Sequence, residues 1–223
     1  MNELKELLIS RGADLVGFAD LRDLDINHEM PFGVSVGVKL SARLVESIHD
    51  GPNMFYFEEY ERLNNLLDQI VNAGAQYLSG KGYKALPQTT TSISRIENYK
   101  TELPHKTVAT RAGLGWIGKC CLLVTHEYGS AVRLSSLLTN AELDYGTPVT
   151  ESLCENCMEC AKNCPANAIS GKSWNRNRDR SELIDVHKCQ ETARKMVMEK
   201  INKNVTLCGK CFVVCPYTMK SMK

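Results

Sequence analysis

Net charge and long apolar runs are both scarce in this chain of 223 residues. Its 27 basic and 26 acidic side chains nearly cancel, leaving a formal net charge of +1. That balance creates no single-sign field to attract a polyanion, so nucleic acid is disfavoured as a partner. No stretch is apolar enough to span a bilayer. The opening Met1-Asn2-Glu3-Leu4-Lys5 reads as the start of a polar helix, without a signal peptide's apolar core or a twin-arginine run. A soluble, cytoplasmic protein with no membrane contact is the expectation. Histidine is thin as well: His28, His49, His105, His126 and His187 form no metal-ligand pair at helical spacing.

Cysteine is what the chain has in excess. Cys154-x2-Cys157-x2-Cys160-x3-Cys164-Pro165 is the run that wraps an iron–sulfur cubane. Cys208-x2-Cys211-x3-Cys215-Pro216 is the same run without its first cysteine, and Cys189 upstream can supply it. Three thiolates spaced two residues apart curl round one cubane, and the fourth is carried away on a short helix. In two-cluster ferredoxins that fourth cysteine ligates the other cluster. Cluster one then takes Cys154, Cys157, Cys160 and Cys215, and cluster two takes Cys164, Cys189, Cys208 and Cys211. Structural zinc stops at four ligands with wider loops between pairs, and an intracellular chain rarely holds disulfides. Two 4Fe-4S clusters are therefore the expected cofactors.

The remaining pattern is that of a mixed helix-and-strand domain large enough for its own core. Leu4, Leu7 and Leu8 share a helical face ahead of Gly12, and Leu15–Ala19 reads as a short strand. Val34, Val36, Val38 and Leu40 alternate like a strand with one buried face. Leu63, Leu66, Leu67, Ile70 and Val71 recur at helical spacing, and Tyr83–Pro87 reads as a strand. Gln88–Lys100 is a polar loop of the kind that carries sites. A short helix is expected over Pro104–Arg111, strands over Cys120–Thr125 and Ala131–Thr139, and a helix carrying Cys189 over Asp185–Ile201. The Gly, Pro and acid content of 140–152 places a boundary near residue 150, dividing a domain over 1–150 from a cluster module over 151–223. Arg176, Arg178 and Arg180 read as a solvated loop.

Gly113-Leu114-Gly115-Trp116-Ile117-Gly118 spells the dinucleotide fingerprint, but that motif requires a strand before it and a helix after it. Here a helix precedes and a strand follows, so a Rossmann site is rejected. The glycines then mark a tight turn or the close approach of something large.

Residues 104–139, with Ala112-Gly-Leu-Gly-Trp-Ile-Gly-Lys119 at their centre and the double cluster run after them, resemble the epoxyqueuosine reductases and the related reductive dehalogenases. The resemblance implies an α+β chain: a nitroreductase-like α/β domain binding cobalamin, followed by a two-cluster ferredoxin-like module. Clusters in that family feed electrons to a corrinoid, which performs the reductive chemistry. By resemblance Gly113, Gly115, Trp116, Gly118 and Lys119 line the corrinoid, and a low-potential ferredoxin or flavodoxin is the donor. Flavin is the lesser alternative cofactor, since nitroreductase-like folds hold either. A histidine-ligated corrinoid is disfavoured, because Asp185-x-His187 lacks the glycine of the lower-ligand motif.

The departures matter too. Epoxyqueuosine reductases place an acidic general acid in an Asp-Ser-Ala-Pro context ahead of the glycine loop. At that distance this chain has Tyr99, with Glu102 nearby; either side chain can donate a proton, Glu102 if burial raises its pKa. The family's helical-repeat extension does not follow Cys215, which with the near-zero charge counts against transfer RNA and leaves a small molecule or a protein as substrate. Cys120 and Cys121, left over from the ligand count, read as small buried hydrophobes on opposite faces of a strand. The competing function is a ferredoxin-like electron carrier, or a corrinoid-reducing partner, with no substrate chemistry of its own.

Overall fold

Leu4 and Leu8 fall on one face of the opening helix, α1 (Asn2–Ser10), and the chain leaves it at Gly12, whose φ is +104°. The computed structural model describes residues 2–24, 29–90, 92 and 101–222. After α1 come β1 (Leu15–Asp20), β2 (Phe32–Lys39), α2 (Ala42–Ser47), α3 (Met54–Gly80), β3 (Ala85–Gln88), α4 (His105–Arg111), β4 (Trp116–Ile117), β5 (Leu123–Val124) and β6 (Val132–Thr139). The cysteine-rich part adds α5 (Glu159–Lys162), α6 (Arg180–Leu183), α7 (Val186–Ile201), α8 (Lys210–Val213) and α9 (Pro216–Ser221). The chain divides into two compact units: Met1–Lys39 with Arg62–Gly115 and Arg133–Val149, and Leu40–Glu61 with Trp116–Val132 and Thr150–Lys223.

The first unit is built on a four-stranded sheet in the order β1-β2-β6-β3. β1 and β2 pair antiparallel with Val16 opposite Val36 and Phe18 opposite Val34; β3 and β6 pair antiparallel with Leu86 opposite Leu138. The valine alternation predicts one buried face, yet β2 is buried continuously from Phe32 to Val38. It is an interior strand with α4 packed against it, so both faces are covered. Gly33 makes that packing fit, since a Cβ there would come 2.7 Å from Val108 Cγ1. Leu63, Leu67, Ile70 and Val71 of α3 are all buried, each stabilising by roughly 1.5–3 kcal/mol. Among the described residues no helix is long and apolar enough to cross a membrane.

The second unit has less regular structure. Asn53 caps α3 by accepting from the Tyr56 amide at 2.8 Å, and Asp185 caps α7 by accepting from Lys188 at 3.1 Å. Asn202 ends α7 in the left-handed region, φ +52°. Leu183, Val197 and Phe212 form its core, with Tyr56 edge-on to Phe212 at 6.1 Å. α5, α6 and α8 are four residues each, too short to persist alone, so they depend on the packing around them. One expected element is corrected here. The strand over Cys120–Thr125 is reduced to the two residues of β5, and Cys120 and Cys121 lie in the turn before it, with Cys121 at φ +63°. An apolar composition signals burial, and a buried turn carries the same signal as a buried strand.

Candidate functional site

The cysteine loop coils before any ligand is considered. The Cys157 amide donates to the Cys154 carbonyl at 2.9 Å, closing a turn that puts Glu155 at φ +44°. Cys160 lies in α5, Cys164 just beyond it, and the Ala168 amide donates to Cys164 Sγ at 3.4 Å. Downstream, Cys208 precedes Gly209, whose φ of +85° starts α8 with Cys211 in its first turn. Cys215 caps α9, and Pro216 occupies the first helical position, where its missing N–H costs nothing.

These turns bring Cys154, Cys157, Cys160 and Cys215, the four assigned to cluster one, to the wall of one cavity. Cys211, Cys120, Gly118, Lys119 and Tyr217 complete much of its wall. Cys164, Cys189 and Cys208 share a second location. The Cys189 thiol is pushed up by burial and then by Cys164 and Cys208, and the Cys208 thiol by burial, against an opposing backbone hydrogen bond from Lys210. Cys211 was expected beside these three; it lines the first cavity and hydrogen-bonds Cys120. All ten cysteines are thiols, and none is in a disulfide.

The donor set suits cubanes. Among the described residues no three His, Cys, Asp or Glu side chains converge closely enough to hold a single ion. A cubane asks for something wider, one thiolate at each of four iron corners, and backbone N–H groups near the sulfurs. Both are present: Cys154, Cys157, Cys160 and Cys215 among the six cysteines round one cavity, and amides on Cys160, Cys164 and Cys208. Cys160 is driven up first by its hydrogen bond to Cys120 and then by burial, a cost that iron binding to thiolate must overcome.

The five residues expected to line a corrinoid fall in different surroundings. Gly113 and Gly115 belong to the first unit, Trp116, Gly118 and Lys119 to the second. The order is helix, loop, strand, as expected for a turn that is not a Rossmann loop: α4 ends at Arg111 and β4 begins at Trp116. Gly113 is exposed with φ +74°, and a Cβ on it would lie 2.8 Å from the Thr147 carbonyl oxygen. Trp116 is fully buried, edge-on to His126 at 5.1 Å and to Tyr217 at 4.9 Å, and its indole N–H has no hydrogen-bond partner among the described residues. A Cβ on Gly118 would come 3.6 Å from Cys154 Sγ. Lys119 is 5 % exposed rather than solvated, and its ammonium donates to the Glu155 carbonyl at 2.8 Å, inside the cysteine loop. Glu102 is exposed, so the burial that its role as an acid required is not found; Tyr99 lies outside the described residues.

Tyr217 is a site residue that the cysteine spacing does not announce. Its hydroxyl donates to the Leu153 carbonyl at 3.3 Å, and burial, then Cys154, pushes its phenol up. Its place beside Cys215-Pro216 is the signal that could have found it. In the first unit, His105 Nδ1 lies 2.9 Å from Ser136 Oγ, and burial, then Arg133, lowers its pKa to about 4.

Residues 153–218 match the 4Fe-4S double cluster binding domain. The chain is 35% identical over 116 residues to the epoxyqueuosine reductase of Listeria monocytogenes serovar 1/2a, covering 52% of this chain and 30% of that protein. It spans about a third of the length of the curated relatives it matches. It shares its fold, at a TM-score of 0.75 and 20% identity, with a reductive dehalogenase whose structure is described as suggesting a mechanism for B12-dependent dehalogenation, covering 96% of this chain and 31% of that one. An epoxyqueuosine reductase bound to an epoxyqueuosine-modified transfer RNA stem loop gives a TM-score of 0.60 at 21% identity, over 98% of this chain and 65% of that one. The chain is thus a mixed helix-and-sheet iron–sulfur protein, similar to reductases of both kinds. One expectation is overturned. Transfer RNA was disfavoured on charge, yet the relatives are epoxyqueuosine reductases and one fold neighbour holds a transfer RNA stem loop. Net charge sums over the whole surface and is blind to a local basic face.

Proposed function

We propose that this chain is an iron–sulfur reductase acting with cobalamin on a transfer RNA substrate of the epoxyqueuosine type. The observation that carries it is the convergence of Cys154, Cys157, Cys160 and Cys215 on one cavity, with Cys164, Cys189 and Cys208 gathered separately. 4Fe-4S clusters bound there would relay single electrons from a low-potential ferredoxin or flavodoxin. The protein's part is to fix the thiolates in two loops, donate amide hydrogen bonds to sulfur, and keep Lys119 and Tyr217 at the wall of the first cavity. The names of the relatives support the substrate, and the dehalogenase likeness supports the corrinoid.

The residues expected to line the corrinoid do not add to that support. Trp116 and Lys119 are engaged on the cluster side, by ring packing against Tyr217 and by the Glu155 carbonyl, and Gly118 lines the cluster cavity. The same observation favours a second reading, an electron carrier without substrate chemistry. One experiment separates them. Anaerobically reconstituted protein is mixed with cobalamin, its absorption spectrum read for a base-off corrinoid, and an epoxyqueuosine-modified stem loop then added with a chemical reductant. A base-off spectrum and conversion to queuosine support the reductase. Full iron content with neither leaves the carrier.

A further inference from the structure

We propose that the Lys119 ammonium is the built-in counter-charge of cluster one, and that it holds that cluster's reduction potential above the value an uncharged side chain would give. The inference rests on the two-cluster reading above and goes beyond it, because Lys119 stands in neither cysteine set and is no ligand.

The backbone delivers the lysine to the cysteine loop. Trp116 and Ile117 of β4 pair with Val124 and Leu123 of β5. The turn between them is closed by the Gly118 amide on the Leu122 carbonyl at 2.9 Å and the Cys121 amide on the Gly118 carbonyl at 2.8 Å. Lys119 sits buried in that turn and lines the cavity that Cys154, Cys157, Cys160 and Cys215 share. Its Nζ donates to the Glu155 carbonyl at 2.8 Å and lies 3.6 Å from Met158 Sδ. Glu155 stands between Cys154 and Cys157, and Met158 between Cys157 and Cys160. Cys211, assigned to the other cluster, also reaches this wall, but both contacts of the ammonium fall inside the loop of cluster one.

A buried charge needs a partner. Lysine is almost never buried unless it is paired, because taking an ammonium out of water is costly. Here it meets a carbonyl and a thioether, both neutral, and among the described residues no carboxylate forms an ion pair with it. Glu155 offers only its backbone, and the residue itself is exposed. The strong negative charge that four thiols round a cavity can supply is a cubane bound through thiolates, an anion in either oxidation state. The ammonium in the wall is then paired, at a dielectric where screening is weak. Reduction moves one electron from the donor onto the cluster and adds one negative charge, so a fixed cation stabilises the reduced state more than the oxidised one. Net charge at a cluster is among the determinants of its potential.

The test is a redox titration of the reconstituted full chain followed by electron paramagnetic resonance, with iron analysis of each sample. Cys157→Ala identifies cluster one by the midpoint that it removes. Lys119→Met and Lys119→Gln both lose the charge, and the second keeps an amide donor for the Glu155 carbonyl; Lys119→Arg keeps the charge. All three should retain about eight irons once assembly is complete. The two neutral variants should lower the cluster-one midpoint by at least a tenfold change in its reduction constant, about 59 mV for one electron, and move the other midpoint by less than half as much. Lys119→Arg should stay closer to wild type than to either neutral variant. Unchanged midpoints in both neutral variants overturn the proposal. A wild-type midpoint in Lys119→Gln beside a shifted one in Lys119→Met also does, by assigning the effect to the hydrogen bond, as does an equal shift in Lys119→Arg, which would be a packing effect. Loss of about four irons from the neutral variants overturns it too, by making the lysine a prop for the loop. A wild-type chain that never reaches two clusters brings down the reading beneath it instead, before any variant is compared.

Discussion

Acidification should destabilise the sheet unit through one histidine. His105 opens α4, with its Nδ1 2.9 Å from Ser136 Oγ of β6, and its pKa falls from 6.5 to about 4. Burial is the main cause; the Arg133 cation adds to it and Asp68 opposes it. The folded state thus disfavours the imidazolium, and the unfolded chain binds the proton first. Stability from this group is complete above pH 6.5, is lost progressively between 6.5 and about 4, and changes no further below that. The gap of about 2.5 units, at 1.36 kcal/mol per unit, amounts to about 3 kcal/mol in full, of which about 2 kcal/mol is lost between pH 7 and 5. With a urea slope of roughly 2 kcal/mol per molar, the midpoint should fall by about 1 M over that range. His105→Asn, which retains a hydrogen-bonding group and cannot titrate, should flatten the dependence. An imidazole titration by nuclear magnetic resonance reads the same quantity directly. A His105 midpoint near 6.5, or an equally steep slope in His105→Asn, would refute the reasoning.

Three further outcomes are open to measurement. Cys157→Ala and Cys189→Ala should each remove about half of the iron bound after anaerobic reconstitution, because they belong to different ligand sets; equal and complete loss from both would merge the two sites into one. Gly113→Ala should cost about 1–3 kcal/mol in chemical denaturation, since its φ is +74° and the new Cβ would sit 2.8 Å from the Thr147 carbonyl oxygen; a neutral result would show that the 145–149 segment moves aside freely. Lys119→Met should cost about 1–3 kcal/mol by leaving the Glu155 carbonyl without its donor, and should slow cluster assembly as followed by absorbance; normal assembly would place the lysine outside the cluster loop's requirements.

Local chemistry made the cysteine module legible. Ligand spacing is set by the size of a cubane, so counting residues marks out the double-cluster module over 153–218, although Cys211, assigned to cluster two, lines the cavity of Cys154, Cys157, Cys160 and Cys215. α7, with Asp185 as its cap, and the helix-loop-strand order about Gly113 are equally local. The sheet order β1-β2-β6-β3 is not, because neighbours such as β2 and β6 lie far apart in sequence and pairing leaves no mark on either strand alone. The same holds for the segments 40–61 and 116–132, which fold with the cysteine-rich residues. Lys119 was hidden for another reason: a lysine in a turn is ordinarily solvated, and only the Glu155 carbonyl opposite it explains its burial.

The glycine-rich segment shows how one motif can satisfy several demands that do not require a bound macrocycle. Gly113 answers to a left-handed backbone and the nearby Thr147 carbonyl, and Gly118 to the Val124 side chain, which a Cβ there would approach to 2.7 Å. Lys119 answers to the Glu155 carbonyl, and Trp116 to the rings of His126 and Tyr217. Of the motif, Gly118 and Lys119 line the cluster-one cavity, while Gly113 answers to a turn in the first unit. The buried Trp116 indole N–H is the exception, a donor without an acceptor among the described residues, which costs of order 1–3 kcal/mol. Trp116→Phe removes that donor while keeping an aromatic ring against Tyr217. If the N–H serves only packing, the variant should match or exceed wild-type stability with both midpoints unchanged. If it reaches a sulfur of the bound cluster, one midpoint should fall while the fold holds, and the redox titration decides between the two.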